Sequence, residues 1–235
     1  MSGETVLITG VTRGLGKNLT EMLCSKGVHV IGISKNGDEL LKIKNAFPNF
    51  SYLCADLSDV NEVDKLLFQL ASLPPVNAFI LNAAVYDKKL YFNEPEYLMN
   101  VNYRSQVKIV NELIKLDRCN TFILMSSILA KLPDTRFPVY GESKRLMTDF
   151  ILGIRAKNPL FAKSRIAYLG PMVDKHKHPF EAIYKSSYPD AARFIIDNLE
   201  SPRGDLYYPR IWKNFIGVTD SLPPVAQKCI MKIIR

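Results

Sequence analysis

Residues 5–16, TVLITGVTRGLG, run from five apolar and β-branched residues into a turn with three glycines. The first five predict a buried strand, and Leu15, Leu19, Met22 and Leu23 then recur at helical spacing. Glycines in such a turn let the backbone bend sharply and approach a pyrophosphate, while the helix N-terminus offers unpaired N–H groups. Glycine trios also occur in plain loops, but the position between strand and helix favours phosphate binding.

Short apolar runs alternate with segments of helical periodicity along the rest of the chain. We predict strands at Thr5–Thr9, Val28–Ser34, Phe50–Cys54, Ala78–Leu81, Thr121–Met125, Arg165–Leu169 and Leu206–Tyr208. We predict helices after the first strand and at Glu39–Phe47, Val60–Leu70, Asn100–Leu116, Tyr140–Lys157 and Pro189–Leu199. Continuous apolar strands alternating with helices indicate a parallel sheet covered on both faces. The expected fold class is α/β, a doubly wound parallel sheet, in a single domain over residues 1–235.

Composition excludes several classes of protein. The chain has 235 residues, 47% apolar and 23% charged, which is ordinary for a globular protein and unlike a disordered or collagen-like chain. Four scattered cysteines without a C-x-x-C pair predict reduced thiols and no metal site. Residues 66–86 carry no charge, but prolines and amides interrupt them, so no stable membrane insertion is expected. Since no signal peptide is evident, we expect a cytoplasmic protein.

The second predicted strand ends at Ser34-Lys35, where a dinucleotide-binding fold places the adenosine ribose. No carboxylate stands there, and Lys35 with Arg13 of the glycine turn would attract a 2′-phosphate, which predicts NADP(H) rather than NAD. The alternative for both cations is a solvated surface charge. Asp56, after the third strand, would accept a hydrogen bond from the adenine amine, and its alternative is a helix cap.

A second motif is Tyr140-Gly141-Glu142-Ser143-Lys144, which follows Ser127 by thirteen residues. Residues four apart on a helix share a face, so the Lys144 ammonium can lie beside the Tyr140 phenol. A nearby cation lowers the pKa of a phenol from about 10, and Tyr140 would then act as general acid and base. Since this spacing is common by chance, its place in the fifth βα unit after the glycine turn is what makes the prediction specific.

These motifs together resemble the short-chain dehydrogenase/reductase family, in its compact single-domain branch. The resemblance runs from Thr5 to about Pro171, through the glycine turn, Asp56, Asn82-Ala83-Ala84, Val101-Asn102, Ser126-Ser127 and Tyr140–Lys144. It implies a nucleotide-binding Rossmann fold and an NADP-dependent oxidoreductase that reduces a carbonyl or oxidises a secondary alcohol. The small-molecule substrate would exchange a proton with Tyr140 and a hydride with the nicotinamide.

The resemblance also implies the site residues. The implied catalytic residues are Asn102, Ser127, Tyr140 and Lys144. Ser127 would bond the substrate oxygen, Lys144 would hold the nicotinamide ribose, and Asn102 would keep a water behind Lys144 unless it bonds its own helix backbone. Asn82 would stabilise the central strands. The implied cofactor-binding residues are Gly10, Thr12, Arg13, Gly14, Leu15, Gly16, Ser34, Lys35, Asp56, Leu57, Asn82, Ala83, Tyr140, Lys144, Pro171 and Val173.

The chain departs from the family pattern at three places. Ala84 replaces a usual glycine, and Gly170-Pro171 reverses the usual Pro-Gly order. Glu142, Arg145 and Leu146 stand where family members often carry small residues that let the helices of neighbouring subunits pack closely. A homodimer or monomer is therefore expected rather than the usual tetramer.

The net charge of +8 is unevenly distributed along the chain. Residues 1–117 carry 12 basic and 13 acidic side chains, a net charge of −1. Residues 118–235 carry 19 basic and 10 acidic side chains, a net charge of +9. We therefore predict an anionic substrate, a phosphorylated, carboxylated or carrier-bound carbonyl compound, with scattered solvated cations as the alternative. The substrate-loop region lies at about 171–190, and the cations in and after it are Lys175, His176, Lys177, His178, Lys185, Arg193, Arg203, Arg210 and Lys213.

Dispersed cations without a basic helix argue against nucleic-acid binding. The tail 228–235 mixes cations with apolar residues, and packing on the domain is favoured there over contact with a membrane surface or a partner. The alternative function is a non-catalytic NADP-binding protein of the same fold, a redox sensor or scaffold. The complete catalytic set favours the enzyme, because a pure binder has no physical need of it.

Overall fold

The structure is a computed structural model that describes residues 3–87, 94–132, 138–199 and 204–223. Its strands are β1 (Thr5–Thr9), β2 (His29–Ser34), β3 (Phe50–Cys54), β4 (Ala78–Leu81), β5 (Phe122–Ser127), β6 (Arg165–Leu169), β7 (Met172–Val173), β8 (Ser186–Ser187) and β9 (Leu206–Tyr208). Seven of them form one parallel sheet in the order β3-β2-β1-β4-β5-β6-β9, and β7 pairs with β8. The predicted doubly wound α/β sheet is confirmed. Its order reverses between β1 and β4, the switch point where such sheets bind ligands.

Helices cover both faces of the sheet. They are α1 (Gly14–Ser25), α2 (Gly37–Ala46), α3 (Val60–Ala71), α4 (Pro95–Met99), α5 (Ser105–Lys115), α6 (Pro138–Lys157), α7 (Tyr188–Asp197) and α8 (Ile211–Asp220). The helix predicted from Asn100 starts earlier, because Pro95 occupies its first turn, where a missing N–H costs nothing. Residues Asn100–Arg104 form a π-helical turn between α4 and α5. The pattern also missed α8 and the β7–β8 pair, which are short or lie in the irregular C-terminal part.

The core lies in two layers, one on each face of the sheet. Phe79 and Phe122 pack with α3, α5 and α6, whereas Ile80 and Ile123 pack with α1, α2 and α7. All four side chains are buried. Neighbouring strand residues alternate between two apolar layers, so the middle of the sheet has no room for polar chemistry and the functional groups gather at the carboxyl ends of the strands.

The segment after β6 is tied down by one tryptophan. Nε1 of Trp212, on α8, donates to the carbonyl oxygen of Tyr184 at 2.9 Å. The indole lies so close to Gly170 that a Cβ there would overlap Nε1. This contact is a physical reason for glycine at position 170, where the sequence departs from the family's order. Trp212 thus anchors the predicted substrate loop to the C-terminal helix.

Within the ranges described, no helix is long and apolar enough to cross a membrane, and no cluster of His, Cys, Asp or Glu could hold a metal ion. Cys24 and Cys119 are buried and Cys54 is exposed, all three as free thiols. Burial raises the pKa of the Cys24 and Cys119 thiols to about 11. Arg203, Cys229 and the tail 228–235 lie outside the described residues.

Candidate active site

The glycine turn between β1 and α1 is held tightly against the end of β4. Gly10 and Gly14 adopt φ angles of +75° and +54°, in the left-handed region that favours glycine. A Cβ at Gly16 would overlap the Gly10 carbonyl oxygen and the Asn82 amide. Nδ2 of Asn82 donates to the carbonyl oxygens of Thr9 and Gly10 at 2.9 and 3.2 Å. The predicted structural role of Asn82 is therefore visible as two bonds that fix the turn.

Two buried side chains that are not among the predicted site residues complete this anchor. Oγ1 of Thr9 accepts from the backbone N–H of Asn82 and of Ala83 at 3.1 and 3.0 Å. It donates in turn to Oε1 of Gln106 at 3.2 Å, and Nε2 of Gln106 donates to the Ala83 carbonyl oxygen at 2.8 Å. No local pattern reveals Gln106, since its partners lie more than twenty residues away.

The N-terminus of α1 has the properties of an anion site. Its N-cap residue, Arg13, makes no capping bond with its side chain, and no acidic residue lies in the first turn. By contrast, Asn36 and Asp59 cap α2 and α3 through their side chains. The first N–H groups of α1 therefore have no side-chain acceptor and lie beside the glycine turn, an arrangement that fits a pyrophosphate.

At the end of β2, Lys35 and Asp56 form an ion pair with Nζ and Oδ2 3.0 Å apart. Lys35 also donates to the Tyr97 hydroxyl at 3.2 Å and lies 5.6 Å from the centre of that ring. Hydrogen bonds to Tyr97 and Asp56 raise the pKa of Lys35. Burial acts to raise the pKa of Asp56, but bonds from Ser58 and Lys35 outweigh it, so the pKa is lowered overall.

The sequence predicts separate roles for Lys35 and Asp56, on a phosphate and on adenine, and the structure joins the two in one network. The alternative of Asp56 as the cap of α3 is wrong, because Asp59 accepts from the first-turn N–H groups of Asn61 and Glu62. The Lys35 side chain remains 56% exposed, so a bound phosphate can reach it.

The predicted catalytic residues Ser127, Tyr140 and Lys144 come together at the carboxyl end of β5. Nζ of Lys144 donates to the Met125 carbonyl oxygen at 2.8 Å and lies 5.8 Å from the centre of the Tyr140 ring. Lys144 is 3% exposed. Ser127 is the last residue of β5, and its hydroxyl is hydrogen-bonded to the Tyr140 phenol. The helical spacing of Tyr140 and Lys144 thus delivers the proximity that it predicts.

The electrostatics differ from the sequence prediction. Burial raises the pKa of Tyr140 above its ordinary value, the bond from Ser127 offsets part of the rise, and Tyr86 and Tyr188 add to it. Burial has the opposite effect on the pKa of Lys144, which it lowers to about 8, because the charged form of a lysine is the protonated one. The net pKa of Tyr140 is therefore raised where a lowering was expected, because loss of water disfavours both charged forms. The contribution of Lys144 to the Tyr140 pKa stays a prediction.

Asn102 lies on the π-helical turn and binds two other elements. Its Oδ1 accepts from the backbone N–H of Val85 at 2.7 Å, and its Nδ2 donates to the Val85 carbonyl oxygen at 3.1 Å and to Oγ of Ser143 at 3.2 Å. Oγ of Ser143 donates to the backbone carbonyl oxygen of Tyr140 at 2.8 Å. Asn102 thus holds the segment after β4 against α6, and the alternative of bonds to its own helix backbone is wrong.

Two further tyrosines lie outside the predicted catalytic and cofactor-binding residues, and one of them faces Tyr140. The rings of Tyr86 and Tyr140 meet edge to face, with centres 4.8 Å apart and planes at 72°. The ring of Tyr188, the first residue of α7, lies 3.4 Å from the position of a Cβ at Gly14. Because these residues come from separate elements, no spacing in the sequence links them.

The other predicted cofactor residues lie along the same edge of the sheet. Thr12 and Ser34 join the glycine turn to β2 through hydroxyl oxygens 2.9 Å apart. The remaining predicted residues are Leu15, Leu57, Ala83, Pro171 and Val173. Leu15 lies in the first turn of α1, and the others come after the carboxyl ends of β3, β4 and β6.

The cations of the predicted substrate loop have an acidic partner within it. Nζ of Lys185 lies 2.6 Å from Oε1 of Glu181, whose Oε2 accepts from the backbone N–H of Lys177 at 2.7 Å. The bond from Lys185 holds the pKa of Glu181 at about 2. A ring nitrogen of His176 lies 3.2 Å from the Lys185 carbonyl oxygen. Part of the charge surplus therefore stabilises the loop itself.

Comparison with known proteins agrees with this geometry. A family model described as short chain dehydrogenase matches residues 4–158. A fatty acyl-CoA reductase of Acinetobacter baylyi is 30% identical over 164 residues, which are 64% of this chain and 56% of that protein, so the match spans about half its length. Carbonyl reductase [NADPH] 2 of Sus scrofa is 22% identical over 72% of this chain and 67% of its own. A short-chain dehydrogenase structure from Streptomyces avermitilis superimposes with a TM-score of 0.77 at 19% identity, over 93% of this chain and 94% of that one.

Proposed function

The chain belongs to the short-chain dehydrogenase family, and from this premise we propose that it is an NADP(H)-dependent oxidoreductase acting on a carbonyl or secondary alcohol. The observation that carries the proposal is the meeting of Ser127, Tyr140 and Lys144 at the carboxyl end of β5, the sheet edge that also carries the glycine turn. A pig relative named as a carbonyl reductase that uses NADPH supports the same chemistry.

In the proposed reaction, a nicotinamide cofactor held by the glycine turn and Lys144 would supply the hydride for the carbonyl carbon. The Tyr140 phenol donates its proton to the carbonyl oxygen, and the Ser127 hydroxyl donates a hydrogen bond to that oxygen. The phenol is protonated near neutral pH, since its ordinary pKa is about 10 and burial raises that pKa further. We propose the reaction in the direction of reduction, with the proton of Tyr140 in place at the start and the alcohol as product.

The same edge of the sheet would hold the cofactor. The glycine turn and the N–H groups of α1 fit the pyrophosphate, and Lys144 is the group proposed for the nicotinamide ribose. Arg13 and Lys35 would contact the 2′-phosphate. Because Lys35 already balances Asp56, that carboxylate would repel the phosphate less than a lone one.

A panel of aldehydes and ketones assayed with NADPH and NADH tests the enzyme against the non-catalytic alternative. The variant Tyr140→Phe should lose at least about 100-fold in kcat, because general acid catalysis contributes that much, while its Kd for NADPH stays within about threefold. If no compound in the panel turns over although NADPH binds tightly, the redox sensor or scaffold is the better interpretation.

The variant Lys35→Ala tests the cofactor preference. A lost bond to a charged phosphate should raise the Kd for NADPH about tenfold or more and leave that for NADH nearly unchanged. Lys42→Ala is a matched control, since Lys42 is an exposed lysine of α2 paired with Glu39 at 2.6 Å. Equal losses for the two nucleotides in Lys35→Ala would contradict the role in phosphate recognition.

We further propose a monomer or homodimer. On the exposed face of α6, Arg145 pairs with Glu142 at 2.6 Å and with Asp149 at 2.9 Å, so close helix packing between subunits would have to desolvate three charges. Light scattering coupled to gel filtration would measure the mass, and a stable tetramer would refute this part. The cytoplasmic location and the anionic substrate stay predictions, the latter tested by the effect of salt on kcat/KM.

A further inference from the structure

Tyr86 is placed at the candidate active site by a fixed backbone. It follows Val85, whose N–H and carbonyl groups are both bonded by the Asn102 side chain. Nevertheless, Tyr86 is 55% exposed, whereas the core aromatics Phe79 and Phe122 are fully buried. An aromatic ring that is held in place yet left open has surface available for a bound molecule.

The open ring lies directly against the proposed proton donor. The ring centres of Tyr86 and Tyr140 are 4.8 Å apart, and their planes cross at 72°. A carbonyl oxygen within hydrogen-bond distance of the Tyr140 phenol therefore brings its substituents within a few ångströms of the Tyr86 ring. Tyr188, the first residue of α7, lies next to Gly14 of the glycine turn, so a second aromatic ring lies at the same edge of the sheet.

We propose that Tyr86 is a specificity-determining residue on which a planar, conjugated carbonyl compound, such as an aryl aldehyde or aryl ketone, stacks during reduction. The inference rests on the proposed function and names the substrate class for the same site. Aromatic pairs gain attraction beyond the area they bury, whereas a saturated ring of equal carbon number has no π face and is puckered. Tyr86 would thus favour the flat substrate over its saturated counterpart.

Benzaldehyde and cyclohexanecarbaldehyde form a matched pair for the test. The two aldehydes differ in intrinsic reactivity, so the measured quantity is the change in kcat/KM on substitution for each aldehyde, and then the ratio of the two changes. In the variant Tyr86→Leu, kcat/KM should fall about 3- to 10-fold more for benzaldehyde than for cyclohexanecarbaldehyde, mainly because KM for benzaldehyde rises. Tyr86→Phe keeps the ring and should retain the wild-type preference within about twofold.

The chain offers a matched control in Phe68, an aromatic residue in the last turn of α3 that is 81% exposed. Phe68→Leu should leave kcat/KM unchanged for both aldehydes. Equal losses with both aldehydes in Tyr86→Leu would overturn the proposal in favour of a purely structural role. A Tyr86→Phe variant that behaves like Tyr86→Leu would overturn it too, since the hydroxyl and not the ring would then act.

A binding measurement separates this inference from the proposed function. Benzamide and cyclohexanecarboxamide, titrated by calorimetry in the presence of NADP⁺, report stacking without turnover. The wild type should bind benzamide about 3- to 10-fold more tightly, and Tyr86→Leu should abolish that difference. Similar affinities in the wild type, or no binding of benzamide, would refute the stacking role. A benzamide preference without turnover of any aldehyde would instead refute the proposed reduction alone.

Discussion

Replacing Lys144 by methionine should stabilise the protein near neutral pH while it removes a group proposed to act in the reaction. Lys144 is 3% exposed, and burial lowers the pKa of its ammonium to about 8. The charged form therefore destabilises the folded state at pH 7, because the same charge is surrounded by water in the unfolded chain. Methionine has a similar length, carries no charge and adapts to irregular packing.

The lowered pKa sets the size of the effect. A fall from the ordinary value of 10.5 to about 8 corresponds to about 3 kcal/mol of lost stability at pH 7. The variant also loses the 2.8 Å bond from Nζ to the Met125 carbonyl oxygen, which costs about 1 kcal/mol. The net expectation is that Lys144→Met is about 2 kcal/mol more stable than the wild type at pH 7.

The pH dependence identifies the cause. Between about pH 8 and pH 10.5 the unfolded chain holds the Lys144 proton and the folded protein has released it, so the stability of the wild type rises with pH. The advantage of Lys144→Met should therefore shrink by about 2 kcal/mol between pH 7 and pH 10, and disappear near pH 10. Titrating groups that do not interact with Lys144 cancel in the difference between the two proteins.

Urea unfolding at pH 7, 8.5 and 10, with linear extrapolation, measures this difference. Lys157→Met is the control, because Lys157 is an exposed lysine at the end of the same helix and its substitution should stay within about 0.5 kcal/mol at every pH. A Lys144→Met variant less stable than the wild type at pH 7, or a difference that does not vary with pH, would refute the reasoning.

Two glycine substitutions give further expected outcomes. Gly16→Ala places a Cβ against the Gly10 carbonyl oxygen and should weaken NADPH binding at least about tenfold and destabilise the fold by about 1–3 kcal/mol. Calorimetry and urea unfolding check both effects, and Gly153→Ala, whose Cβ meets nothing within 4 Å, should impair neither. Gly170→Ala overlaps Trp212, the only tryptophan, and should shift its fluorescence emission to longer wavelength. An unchanged spectrum would show that the indole tolerates a Cβ there.

Much of the fold was predictable because its signals are local. The glycine turn, the apolar strands and the helical spacing of Tyr140 and Lys144 each depend on residues within a few positions of one another. Parallel strands also place their carboxyl ends on one edge, so residues that follow different strands are expected to meet there. For these reasons Ser127 and Lys144 lie where the sequence predicts them.

The contacts between distant segments were not predictable from pattern. Tyr97 joins Lys35 across 62 residues, and Tyr86 meets Tyr140 across 54. Neither tyrosine belongs to a periodic or spaced motif, because a single contact between two loops or helix ends imposes no repeat on the chain. The ion pair between Glu181 and Lys185 was not predicted for a different reason. Counting the charges of a region ignores which of its acidic and basic residues pair with each other.

The direction of the Tyr140 shift shows where motif reasoning ends and environment begins. Spacing fixes the distance between the Tyr140 phenol and the Lys144 ammonium, but the effect of that distance depends on how much water surrounds both groups. Burial penalises the phenolate and the ammonium alike, so near neutral pH the phenol stays protonated, while the pKa of Lys144 lies only about one unit above pH 7. The same burial therefore holds on Tyr140 the proton that the proposed reduction transfers, and it destabilises the charged form of Lys144.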